Sequence, residues 1–260
     1  MVSERTSERA FLGVSALLFA GSAAATIVRS TSMSATGEMP MPGGWAMPMA
    51  WIPICGTTWP GVATSFLGMW VVMTVAMMLP SLMPMLWRYR QAVGGTGKTR
   101  PGRLTALVGV GYFCVWTAFG MAVFPLGVGL SAVEMQRPAL GSAVPIAIGV
   151  VVLIAGTLQF TAWKAHHLAC CREIPRGLMA TDTGAAWRYG LHLGLHCSYC
   201  CAGSMAILLV MGIMDLRAMA VVTTAITVER LASGQHVARA IGAVAAGAGL
   251  FLIARAAGLG

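Results

Sequence analysis

Long apolar runs broken by short cationic stretches restrict this chain to helices that cross a membrane. Runs such as AFLGVSALLFAGSAAATIV and SFLGMWVVMTVAMMLPSLMPMLW lack the polar alternation that a soluble, two-faced element needs. Inside a bilayer, only a helix satisfies such a backbone by itself. Composition agrees: 57% of the 260 residues are hydrophobic and 10% are charged, against roughly 25% charged in soluble domains. The net charge of +9 is not a nucleic-acid signature, because the positive residues fall in clusters between apolar runs.

Apolar stretches at 10–28, 62–87, 104–126, 143–163, 190–214, 218–228 and 240–253 predict an all-α, multi-pass transmembrane bundle of about seven spans. Arg88, Arg90, Lys98, Arg100 and Arg103 mark one inner loop, and most of the 17 lysines and arginines fall on that side. The N-terminus is then cytoplasmic. The organisation expected is a charged leader and first transmembrane helix over 1–28, a Met/Trp-rich extracytoplasmic loop over 29–60, and a core bundle over 61–260 of about six helices. The SAAA end of the first run also fits a cleaved signal peptide, but the mixed charges of MVSERTSER favour a retained helix. Small residues of the last run, Gly242, Gly247 and Gly249, predict close helix packing.

The chemistry concentrates in GLHLGLHCSYCCAGSM, residues 190–205, where His192, His196, Cys197, Cys200 and Cys201 lie together. The chain has 7 cysteines, an odd number, and they group as Cys170-Cys171 and Cys197-Cys200-Cys201, a metal or redox pattern rather than a disulfide scaffold. On a helix, His192, His196 and Cys200 share one face and Cys197 and Cys201 form a row beside it. A straight helix spreads these five too widely for one ion. His196, Cys197 and Cys200 are expected to share an ion with help from a neighbouring helix, for which Met77 and Met78 of the second span are the first choice.

Softness of the donors ranks the ions. Zinc accepts Cys and His tetrahedrally, and iron clusters need four well-separated thiolates. Cu(I) accepts Cys, His and Met alike, and copper alone gives the methionines of the outer loop and the second span a shared reason. Cu(I) is therefore the first cofactor and zinc the second. Secondary ligand candidates are Met39, Met41, Met47 and Met49 in the outer loop, and His166, His167, Cys170 and Cys171 in the inner loop at 164–189. Each has a plainer alternative. The outer methionines also fit a greasy interfacial loop, the Met69–Met73–Met77–Met78–Met85 stripe fits packing, and the inner His/Cys residues fit a solvated short helix. The cysteines of 197–201 also fit as small packing residues, as does Cys114. A disulfide relay would need a second pair outside, where Cys55 stands alone. Glu229 is costly at a membrane helix end unless paired with Arg230 or turned toward the metal pocket; Gln159 and Lys164 sit at the inner end of the fourth span.

The strings WVVMTVAMMLPSLMPMLWRYR, AGTLQFTAWKAHHLACCREIP and YGLHLGLHCSYCCAGSMAILLVMGIMDL, followed by VER, resemble the bacterial predicted metal-binding integral membrane proteins. The resemblance runs from about residue 59 to 239 and implies a multi-helical inner-membrane protein associated with copper. It marks Met77, Met78, Pro80, Gln159, Lys164, Cys171, Cys197, Cys200, Cys201, Met205 and Glu229. The chain departs from the family string CxGCCW: Tyr199 stands in place of a glycine and the tryptophan is absent. The function expected is to hold or deliver Cu(I) for a membrane or periplasmic metalloenzyme, with lipid as the other partner. The alternatives are a metal-containing subunit of a copper oxygenase or oxidase, and an assembly protein without metal.

Overall fold

The computed structural model describes residues 2–35, 39–41, 45–47, 58–94, 101–136, 141, 143–172, 182–213, 215–232 and 235–258. Its helices, in chain order, are α1 Val2–Ala35, α2 Trp59–Gly94, α3 Pro101–Gln136, α4 Val144–Leu158, α5 Ala162–Arg172, α6 Thr183–Met211, α7 Leu216–Leu231 and α8 Gln235–Ala256. Between α1 and α2, strands β1 Met39–Met41 and β2 Trp45–Met47 pair antiparallel, with Met39 opposite Met47 and Met41 opposite Trp45. The stretch 29–60, expected as irregular loop, therefore begins as helix and contains this ribbon. The side chains of Met39, Met41 and Met47, and the whole of Met49 and Cys55, lie outside the described residues.

Five of the described helices are long and apolar enough to cross a bilayer. The number rises to six if α4 and α5, bent by 66° at residues 159–161, count as one broken span. Residues 218–228, expected as a span of their own, belong to the 16-residue α7. At a rise of about 1.5 Å per residue, that helix reaches about 24 Å, short of a hydrocarbon core of about 30 Å. The third span is longer than expected, since α3 carries on past residue 126 to Gln136.

The segment 164–189 differs most from its expected form as a cationic loop. Its first part is α5, which packs on α6 and α7 and buries Lys164, Leu168 and Cys171. Asp182 then starts α6 by accepting from the Ala185 amide. Asp215 caps α7 in the same way, taking the Arg217 and Ala218 amides at 2.8 and 3.2 Å. Helix α6 ends at Gly212, whose φ of 116° a side chain would strain.

Glycines set how closely the helices approach the site. Gly111 of α3 and Gly190 of α6 meet backbone to backbone, so a methyl on Gly190 would run into the Val108 carbonyl. On the other side of α6, α4 and α8 form a seam in which Gly149, Gly156, Gly242 and Gly249 each have no room for a side chain. Gly247, also expected in such a contact, has open space beside it. Cys114, expected as a buried filler, is exposed and lines a groove between α1, α2 and α3. Trp70 of α2 lies flat across Gly120 of α3 and donates from Nε1 to the Trp116 carbonyl at 2.9 Å. Gly190→Val is expected to push α3 from α6 and destabilise the protein by at least the 1–3 kcal/mol typical of overpacking, roughly. A thermal-unfolding series in detergent, with Gly247→Val as the harmless control, checks it.

Candidate metal centre

Four thiols converge in the interior, three from α6 and one from α5. Within α6, the Cys197, Cys200 and Cys201 sulfurs lie within 4.8 Å of one another. Cys200 is 3.6 Å from Cys201, and Cys197 is 3.8 Å from Cys201. Helical spacing produces this, because residues three and four apart share a face and the short Cys side chain keeps its sulfur near the backbone. The fourth, Cys171 of α5, reaches Cys200 at 3.8 Å. All four are buried and none forms a disulfide.

These separations suit a soft ion. Metal–sulfur bonds of about 2.3 Å in a tetrahedral arrangement set neighbouring sulfurs roughly 3.8 Å apart. The observed contacts of 3.6 to 3.8 Å match that spacing, which is also that of sulfurs in van der Waals contact, so these packed thiols already stand at the separation a shared ion needs. Around the shell stand polar groups from three other helices. The Tyr112 hydroxyl of α3 touches Cys197 Sγ at 2.9 Å. Arg230 of α7 donates from Nη1 to Cys197 Sγ at 3.4 Å and to Ser81 Oγ of α2 at 3.0 Å.

Arg230 is the residue that sequence reasoning missed. It is 6% exposed, and no carboxylate among the described residues pairs with it. Glu229, its neighbour in the chain and its expected partner, instead binds Lys164 Nζ through Oε2 at 2.9 Å. Lys164 also donates to the Cys200 carbonyl, and Arg172 donates to the Glu229 carbonyl at 2.5 Å. A buried guanidinium without a counter-charge is costly, and the sulfur of Cys197 is the group it faces. The signal in the sequence was an Arg beside a Glu at the end of an apolar helix.

The other expected residues distribute as follows. Met77 and Met78 are buried in the same core as the thiols, and so is Met205, one turn beyond Cys201. The hydrogen-bonded path from α2 to the thiols, however, runs through Ser81 and Arg230. Gln159 ends α4, buried, with no partner for Oε1 among the described residues. His196, expected to join Cys197 and Cys200, turns elsewhere. Its Nε2 is 3.1 Å from His192 Nε2 and its Nδ1 is 2.9 Å from His167 Nδ1. Side chains on a helix lean toward its N-terminus, so the ring of His196 lies over the turn of His192 and away from Cys200. His166 and Cys170 lie next to this imidazole row, 3.7 Å apart, on the exposed side of α5. Tyr199 does not narrow the thiol shell; its ring rests on His167 at 5.0 Å.

Comparison with curated proteins and with solved structures gives no match. Among protein families, the model described as "PpoB2: Copper chaperone" matches residues 67–252, which include all four thiols, Lys164, Glu229 and Arg230. That match spans well over half of the chain, which therefore belongs to the PpoB2 copper chaperone family.

Proposed function

We propose that this protein holds Cu(I) as cargo on Cys171, Cys197, Cys200 and Cys201 within the bilayer, and delivers it to a metalloenzyme of the membrane or periplasm. The observation that carries this is the buried shell of four thiols facing an arginine that has no carboxylate partner among the described residues. Thiolates bound to a monovalent ion leave net negative charge, and Arg230 compensates it where water cannot. Thiolates select Cu(I) over harder ions. Because Cu(I) is stable with few ligands, sulfurs of a client can replace those of the shell one at a time, without a step in which the ion is free.

The protein's other groups hold the shell together. Lys164 ties α5 to the Cys200 backbone and to Glu229 of α7, so the cysteines of α5 and α6 stay in register. Tyr112 supplies a hydroxyl to Cys197. The family match and the apolar helices support a copper protein of the membrane. The distribution of Lys and Arg supports an orientation with the N-terminus in the cytoplasm, and the membrane we propose is the bacterial inner membrane.

X-ray absorption on the purified chain in lipid nanodiscs, loaded anaerobically with Cu(I), tests the reading. The expected result is sulfur as the dominant neighbour of copper. Copper no higher than in empty nanodiscs, or a shell of nitrogen and oxygen alone, sinks it. Preferential retention of zinc over Cu(I) would replace cargo delivery with a structural zinc site.

A further inference from the structure

We propose that His167 and His196 form a second copper site, one helical turn outside the thiols, through which the ion enters and leaves the shell; this rests on the copper reading of the thiols. The two imidazoles face each other nitrogen to nitrogen, Nδ1 to Nδ1, at 2.9 Å. Two lone pairs at that distance repel, so the pair requires either one shared proton or one shared cation. Metal–imidazole bonds of about 2.0–2.1 Å in a tetrahedral arrangement set two nitrogens roughly 3.3 Å apart. The contact now has the length of a hydrogen bond between two ring nitrogens, and an opening of roughly a few tenths of an ångström turns it into a pair of ligands.

The second nitrogen of His196 is held as a ligand's would be. His192 Nε2 sits 3.1 Å from His196 Nε2, the outer hydrogen bond that fixes the tautomer and aims the other nitrogen at a metal. Trp163 meets the His167 ring edge to face at 4.8 Å, and Tyr199 packs on it at 5.0 Å. The ring of His167 is therefore fixed on both sides. This gives Tyr199, the departure from the family string, a place beside the imidazoles rather than the thiols.

Register links the two sites. His167 precedes Cys171 by four residues on α5, and His196 precedes Cys200 by four residues on α6. Both steps are about 6 Å along a helix. One pair of residues bridges α5 and α6 through nitrogen at 2.9 Å, the next through sulfur at 3.8 Å. Burial rises along the same direction: His167 and His196 are half-buried, while Cys171 and Cys200 are buried. An ion on the imidazoles has the thiol shell one turn inward and the exposed His166 beside it. Transfer is ligand substitution: a Cu–N bond breaks as a Cu–S bond forms, a thiol gives up its proton, which the released imidazole nitrogen takes, the copper stays Cu(I), and no electron moves.

Anaerobic titration of the full chain in nanodiscs with Cu(I) tests this, following copper bound per chain and the near-ultraviolet thiolate-to-Cu(I) absorption. His167→Ala/His196→Ala is expected to bind one copper fewer at saturation and to fill the thiolate band more slowly, to its parental amplitude. His192→Ala, a positioning change, is expected to weaken the nitrogen-bound copper by about 10–100-fold and leave the thiolate band intact. A parental copper count and loading rate in the double variant overturns the proposal while the thiol reading stands. Absence of the thiolate band from the parent overturns both. If the alanine pair does not fold, His167→Gln/His196→Gln, which conserves bulk, is read against the same two outcomes.

Discussion

Arg230→Met is expected to weaken Cu(I) retention by about two to three orders of magnitude while leaving the copper-free protein as stable as the parent, or more so. A buried ion pair that loses one partner costs about 3–5 kcal/mol, and each 1.4 kcal/mol is roughly tenfold in affinity. The loss falls on the loaded state, because that state carries the anionic sulfurs facing Nη1. Without copper the guanidinium bears its desolvation penalty without the charge of the loaded shell to compensate, and methionine removes that penalty. Opposite effects on the two states separate a charge-compensating role from plain packing. Arg230→Lys keeps the charge but not the planar guanidinium whose Nη1 serves both Ser81 and Cys197, and should recover most of the affinity. Competition against a chromophoric Cu(I) chelator measures this in nanodiscs. Parental affinity in Arg230→Met would remove Arg230 from the site.

The second large effect concerns the ion pair beneath the shell. Lys164 and Glu229 are 5% and 2% exposed and 2.9 Å apart. Glu229→Gln or Lys164→Met each leaves one buried charge alone, and each is expected to cost about 3–5 kcal/mol. The double change Lys164→Met/Glu229→Gln removes both charges and should recover much of the loss, so the cycle gives a coupling of several kcal/mol, roughly. Surface pairs of this type are worth at most about 1 kcal/mol and fade with salt. Thermal unfolding of the four proteins at low and high salt decides between the cases. A coupling near zero, or one that salt abolishes, would place the pair in contact with water.

Much of the architecture was legible because apolar length states it directly. Runs such as 62–87 and 190–214 have one solution in a bilayer; α2 contains the first and α6 covers the second as far as Met211. What length cannot state is where a short polar helix goes. Residues 162–172 look like loop because Lys164, His166, His167 and Arg172 are hydrophilic. Their burial depends on partners far along the chain: Glu229 for Lys164 and Cys200 for Cys171. The cysteines of α6 were legible as a cluster, since helical spacing alone brings three sulfurs together. His196 was misplaced because angular position on a helix wheel ignores the tilt of a long side chain toward the N-terminus. The matching four-residue steps, His167 to Cys171 and His196 to Cys200, were present in the sequence all along. They acquire meaning once α5 is known to lie on α6.

The break at residues 159–161 gives α5 the geometry of a lever arm, held down by Lys164 and Arg172 through Glu229. Its pivot is fixed, because α4 is locked to α8 along a glycine seam that leaves no slack for sliding. Cys171 lies ten residues beyond Thr161, about 15 Å along a helix at 1.5 Å per residue. A swing of about 10° at the pivot therefore moves its sulfur by about 2.6 Å, while the three cysteines of α6 keep their spacing. Such a displacement separates Cys171 from Cys200 and carries His167 from His196 by a smaller distance. On the copper reading, the Lys164 and Arg172 fastenings to Glu229 are what hold Cys171 against Cys200, and releasing them would leave the ion three sulfurs instead of four.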